Sequence, residues 1–141
     1  MGKLIWRAGG IGVFVALAVA AFFVLIPSGD TLRQEAINQA SITPHAAVDA
    51  QLAQDLGDNN LNVSLYARWE DIYEFAVTAK EGGGVEVIAR LMNDGHFSIL
   101  WQGQDGPPCS VVEKYNIPIG IARYCLQQNV TVDRSSIFHF M

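Results

Sequence analysis

Basic side chains are scarce in most of this 141-residue chain. Of its nine Lys and Arg, Lys3 and Arg7 precede a long apolar run, which leaves seven against fourteen Asp and Glu and a charge of −7 from Ser28 onward. A surface that binds nucleic acid needs a basic patch to displace counterions, and an acidic body repels the polyanion, so nucleic acid is excluded as a partner. Histidine and cysteine are as sparse. His45, His96 and His139 stand at no ligand-like spacing to one another or to Cys109 and Cys125, so there is no zinc motif, and neither a metal nor a cofactor is expected. The glycine-rich stretch Glu81 to Gly84 lacks the Lys-Ser/Thr of a phosphate loop, and Ser64, Ser98 and Ser110 stand in no nucleophile-elbow context. Glu70, Asp71 and Glu74 read as solvated turn charges. With no catalytic constellation, the chain is not expected to be an enzyme.

What the sequence does have is one apolar segment, GGIGVFVALAVAAFFVLIP, Gly9 to Pro27, with no charged residue. Its length matches that required of a helix crossing a bilayer core of about 30 Å. Cleavage after Ala18-Val19-Ala20 is the rival reading. It would leave AFFVLI as a new N-terminus, so an uncleaved anchor is expected. Lys3 and Arg7 on the short side place residues 1–8 in the cytoplasm of a bacterial inner-membrane protein, 9–27 in the membrane, and everything after it in the periplasm. Gly12, Ala16 and Ala20 line one stripe of that helix, where small residues let a neighbouring membrane helix approach closely.

Beyond Pro27, Ser28 or Asp30 can cap a helix through TLRQEAINQA. Thr43-Pro44 can open a second one, with Val48, Leu52 and Leu56 on one face. Residues 28–57 are therefore expected to form a helical stalk that either lifts the domain off the bilayer or lies against its sheet. Leu61 to Trp69 alternates with period two, placing Leu61, Val63, Leu65, Ala67 and Trp69 on one side of a strand. Tyr73, Phe75, Val77 and Ala79 share a face in the next segment, and VEVIARLM follows a glycine turn. A three-residue loop Asn93-Asp94-Gly95 pairs Leu91 with Phe97, Ala89 with Ile99, Val87 with Trp101 and Arg90 with Ser98. The expected class is α+β. A four- or five-stranded antiparallel meander, with one apolar and one polar face, packs against helices in a domain of residues 58–141.

Pro107 to Asn129 reads as two short helices broken at Asn116-Ile117-Pro118, the outline of a helix-turn-helix. Its second half offers only Arg123 to a phosphate backbone, which argues against a DNA reader. Cys109 and Cys125 lie equally far on either side of Ile117, at nearly the same height in an antiparallel pair. A disulfide closing a helical hairpin is expected, with Val112, Ile119, Ile121 and Leu126 covering the sheet. Ile137, Phe138, Phe140 and Met141 either extend the sheet as a fifth strand, with VTV before them, or dock on a partner.

These features point to an accessory or assembly subunit of a larger membrane complex, acting through its membrane helix and its periplasmic domain on other membrane-protein subunits. In layout the chain also resembles a type IV pilin: a basic leader MGKLIWRAGG ending in glycine, an apolar helix, a further helix, a four-strand meander and a C-terminal disulfide loop. That resemblance implies a filament subunit, although Val15 stands where the family has its glutamate. A ligand-binding sensor of the envelope, using the space between sheet and helices, is the third reading.

Overall fold

Helix formation begins directly after Pro27 in the structure, a computed structural model that describes residues 27–58 and 60–135. Helix α1 (Gly29–Ser41) is capped by Ser28, whose hydroxyl oxygen accepts the Thr31 N–H at 3.2 Å. Asp30 sits in the first turn, where the helix dipole favours negative charge. Helix α2 (His45–Leu56) starts after Pro44 without the expected Thr43 cap. Thr43 instead donates its hydroxyl back to the Gln39 carbonyl at 2.8 Å, closing the end of α1. Gly57, at φ 73°, provides the left-handed stop of α2.

Strands β1 (Leu61–Trp69), β2 (Ile72–Ala79), β3 (Gly84–Leu91) and β4 (Phe97–Gly103) form an antiparallel sheet in sequence order. The expected α+β meander is present with four strands. The Asn93–Gly95 turn also sets the expected start of the register, pairing Leu91 with Phe97, Arg90 with Ser98 and Ala89 with Ile99. Met92 N–H donates to the His96 carbonyl at 2.9 Å, and Gly95 takes the left-handed conformation at φ 86°.

Two bulges then depart from simple alternation. In β4, Leu100 is the extra residue, so Trp101 lies opposite Ile88 and not opposite Val87 as predicted. In β1, Tyr66 is the extra residue, since Leu65 pairs with Phe75 and Ala67 with Glu74. An inserted residue sends everything beyond it to the other side of the sheet. Leu61, Val63 and Leu65 therefore face one side and Ala67 and Trp69 the other, which corrects the single apolar face expected for residues 61–69.

The consequence is two cores in place of one. On the first face, Leu65, Tyr73, Phe75, Val77, Val87, Ala89 and Phe97 pack under Leu52 of α2 and Ala40 of α1. Phe97 meets Tyr73 and Phe75 edge-on at centroid distances of 5.2 and 5.3 Å. Val48 and Leu56 border this core, so the apolar face of α2 is the expected one. Helix α2 also protects both edges of the sheet. Asp49 accepts the Leu65 N–H at 3.0 Å on β1, and Asp55 accepts the Phe97 N–H at 2.7 Å on β4. Residues 28–57 thus lie against the sheet. On the second face, Ala67, Ile72 and Ile88 pack with Ala36 of α1 and with Val112, Ile117, Ile121, Ala122 and Cys125.

The C-terminal part differs most from expectation. Helix α3 (Cys109–Tyr115) forms and ends at Asn116, which takes a left-handed φ of 51°. The second helix of the expected hairpin does not form. Residues Tyr124–Gln127 are strand β5, paired with β6 (Val130–Asp133) in a separate two-stranded ribbon. Gln128 and Asn129 both adopt positive φ, 51° and 65°, in the two-residue loop between them, the geometry that tight hairpins require. Once this turn closes, every residue of β5 has a backbone partner in β6, and a helix would have to forfeit them. VTV accordingly pairs with β5 and does not extend the meander as a fifth strand.

Gly120 lies where α1 and Trp69 crowd this segment. A Cβ there would come 2.7 Å from the Leu32 carbonyl oxygen and 2.8 Å from the Trp69 ring. Gly120→Ala is expected to destabilise the chain by about 1–3 kcal/mol, the usual cost of overpacking. The check is the urea midpoint of the purified protein, followed by tryptophan fluorescence; an unchanged midpoint contradicts the expectation.

Candidate functional site

The densest polar cluster sits where the second core ends. Glu74 alternates with Tyr73 and Phe75 in β2, so when those rings enter the first core its carboxylate points to the opposite face. There it is 6% exposed and is met by Arg33 from α1. One guanidinium nitrogen binds Glu74 Oε2, and the other donates to Oε1 at 2.8 Å, giving a two-pronged ion pair. Arg33 Nη1 also donates to the Gly120 carbonyl at 3.0 Å and the Ile121 carbonyl at 2.6 Å. The guanidinium lies 5.0 Å from the ring centroid of Tyr66, the bulged residue of β1. One side chain therefore joins α1, β1, β2 and the segment that leads to β5.

Burial pushes the Glu74 carboxyl above its ordinary range, and the hydrogen bonds and charge of Arg33 only partly pull it back. For Arg33 the balance is reversed. Burial alone would lower its pKa, but the hydrogen bonds and charge of Glu74 raise it, so the guanidinium stays charged. Glu70, Asp71 and Glu74 are thus not three equivalent solvated charges. Glu70 is exposed, Asp71 pairs with Arg90 at 3.2 Å, and Glu74 is buried.

From this cluster a groove of about 280 Å³ runs over the uncovered half of the second face, between Tyr66 and Gln104, above Ala76, Thr78, Gly84 and Glu86. The Glu86 carboxyl is raised, first by burial and then by the nearby charge of Glu74. The groove offers a carboxylate, a hydroxyl and an aromatic edge, a surface suited to contact with polar or cationic groups. Among the described residues no three His, Cys, Asp or Glu stand together as metal ligands.

On the other face His96 joins Asp55, its Nδ1 lying 2.8 Å from Oδ1. Burial alone would raise the Asp55 pKa, but the hydrogen bonds from His96, Phe97 N–H and Gln51 lower it. His96 is raised by its hydrogen bond to Asp55 and by that charge. The pair fastens the β3–β4 turn to α2.

Cys109 and Cys125 are bonded, as expected, with Cα atoms 4.9 Å apart. The bond joins the first residue of α3 to β5, beside a backbone bridge of Pro108 to Leu126 and a 2.9 Å hydrogen bond from Leu126 N–H to the Pro107 carbonyl. Val112 and Ile121 cover the sheet as expected, while Ile119 and Leu126 are half-buried. Gly12, Ala16 and Ala20, and with them the apolar run up to residue 26, lie outside the described residues, as do Ile137, Phe138, Phe140 and Met141. Among the described residues no helix is long and apolar enough to cross a membrane.

Sequence reasoning missed Arg33 and Tyr66. The available signal for the ion pair was Glu74 itself, a charge flanked by Tyr73 and Phe75 in an alternating strand that has to be covered on both sides. Compared with known proteins, the chain matches no family model, no curated protein and no solved structure.

Proposed function

We propose that the chain is a single-pass, membrane-anchored accessory or assembly subunit of a larger complex in a bacterial cytoplasmic membrane. It acts by protein-protein contacts through its transmembrane helix and its periplasmic domain. The observation that carries this reading is the uncharged run Gly9 to Pro27, preceded by Lys3 and Arg7 and followed at once by a Ser28-capped helix of a disulfide-bearing domain. The charge asymmetry favours an outward domain, and a disulfide persists in that compartment. The groove beside Tyr66 and Glu86 supplies a polar surface for a partner, while Arg33 and Glu74 are engaged in holding elements together.

The test is alkaline carbonate extraction of host membranes, followed by native electrophoresis in mild detergent. The protein is expected in the membrane pellet and in an assembly larger than its own mass. Release by carbonate, or migration alone at its own mass, overturns the reading. The in-order meander followed by a disulfide also suits a filament subunit. Mass spectrometry of the N-terminus separates the two: a chain beginning at Ile11 supports the filament, and an intact leader removes it.

A further inference from the structure

Of the two carboxylates that line the groove, Glu74 has its cation and Glu86 does not. Glu86 stands in a row that crosses all four strands, formed by Ser64, Ala76, Glu86 and Gly103. Side chains in a sheet take their lateral contacts from such neighbours, and neither Ala76 nor Gly103 has a polar side chain to give. A Cβ on Gly103 would come 2.5 Å from the Trp101 ring, so that ring lies over the place beside Glu86. Among the described residues the Glu86 carboxylate accordingly has no hydrogen bond and no ion pair. Arg33 does not supply one, because its two terminal nitrogens are taken by Glu74 and by the Gly120 and Ile121 carbonyls. Two carboxylates thus share one guanidinium. Burial first, and the charge of Glu74 next, hold the Glu86 carboxyl above its ordinary range, and the charge of Arg33 does not offset them. A second cation in the groove relieves the repulsion.

We propose that the groove seats a lysine side chain of a partner protein, with its ammonium on Glu86 and its methylenes along Tyr66. The proposal names the partner chemistry of the accessory-subunit reading and rests on that reading. Thr78 and Gln104 line the same groove, adding a hydroxyl and an amide oxygen to the carboxylate. Separate acceptors of this kind suit the three donors of a compact ammonium better than the flat fork of a guanidinium. Tyr66 has Arg33 over its ring at 5.0 Å and is half exposed, so it offers its remaining surface to an aliphatic stem. The seven Lys and Arg against fourteen Asp and Glu from Ser28 onward draw a basic segment toward the domain before it docks.

The first test uses purified full-length protein and a defined probe, Nα-acetyl-lysine methylamide, with its uncharged norleucine isostere for comparison. Backbone amide NMR signals of Gly84, Glu86 and Gln104 are expected to shift saturably with the lysine probe and not with the isostere. Glu86→Gln is expected to weaken the binding roughly tenfold. Glu81→Gln, which removes the same charge from an exposed turn, is expected to leave it unchanged. Groove amides that do not shift, that shift equally with norleucine, or that respond alike in Glu86→Gln and Glu81→Gln overturn the proposal. The second test applies a water-soluble carbodiimide to host membranes, which joins a carboxylate to a touching amine as an amide with loss of water. Mass spectrometry is expected to find Glu86 joined to a lysine of a different polypeptide and Glu81 unjoined. An intact assembly in which Glu86 stays unjoined overturns the proposal and leaves the accessory-subunit reading standing, whereas wild-type protein that migrates alone at its own mass overturns both.

Discussion

Arg33→Met is expected to destabilise the domain by about 3–5 kcal/mol, the cost of stripping a buried charge of its partner. Three consequences coincide in this one change. Glu74, 6% exposed, loses the cation that both of its oxygens contact. The carbonyls of Gly120 and Ile121 lose their shared donor, and the link from α1 to the segment that leads to β5 goes with it. Methionine keeps much of the aliphatic length of arginine, so the loss is mainly electrostatic. The penalty also has a sign with pH. The folded Glu74 carboxyl is already raised by burial, and without Arg33 it rises further. A raised carboxyl is easiest to bury protonated, so the variant's deficit is smallest at acidic pH, where only the lost donors to Gly120 and Ile121 remain, and grows as pH rises from the folded pKa of the wild type toward the higher one of the variant. Urea unfolding of wild type and variant at mildly acidic and at neutral pH measures this. A deficit independent of pH, or below about 1 kcal/mol at neutral pH, refutes the structural weight given to the pair. Glu74→Gln/Arg33→Met is expected to recover part of the loss, because it removes both charges together.

Removing the disulfide is the second large effect. Cys109 and Cys125 are 16 residues apart in sequence, and a loop of that size is stabilised by roughly 3 kcal/mol in the chain-entropy estimate. The region it closes has little regular structure of its own, although Val112, Ile117, Ile121 and Ala122 reach the second core. Helix α3 has seven residues, far below the length at which an isolated helix holds, and its buried side chain is Val112. The Cys109→Ser/Cys125→Ser double variant, which leaves no odd thiol, is expected to lose about 3 kcal/mol, and dithiothreitol to lower the urea midpoint of the wild type similarly. Tryptophan fluorescence reports the change, since Trp69 and Trp101 border the core that contains Cys125. A thiol assay that finds two free sulfhydryls in unreduced protein, or a midpoint insensitive to reductant, refutes the prediction. The disulfide and the Arg33 pair hold the same C-terminal part, so their removal together should cost other than the sum of the separate losses.

Local chemistry made several elements legible. Ser28 reads as a cap because its hydroxyl can reach an amide three residues on. Val48, Leu52 and Leu56 read as one helix face, and the Asn93–Gly95 turn sets Leu91 opposite Phe97. The cysteine pairing was legible as well, although the reason offered for it, two antiparallel helices, was half wrong. Equal spacing about Ile117 is not what brings the sulfurs together: residues 117–123 return through turns, only Tyr124–Gln127 are extended, and the Pro108–Leu126 bridge sets Cys125 beside Cys109.

The sequence by itself therefore determined the four strands of the meander, the turn at Asn93–Gly95 and the Ser28 cap, each settled by interactions between residues a few positions apart. Only the tertiary structure decided which side of the sheet each residue serves. Leu65-Tyr66-Ala67 reads as plain alternation whether or not Tyr66 is an extra residue, and so does Ile99-Leu100-Trp101. Whether a strand bulges depends on what packs on its two faces, and that is supplied by α2 on one side and by residues 109–125 on the other. The Arg33–Glu74 pair, 41 residues apart, follows from the same cause. A charge is buried at low cost only if a partner reaches it, and the reach of Arg33 depends on α1 lying along β1, a placement that no local pattern contains.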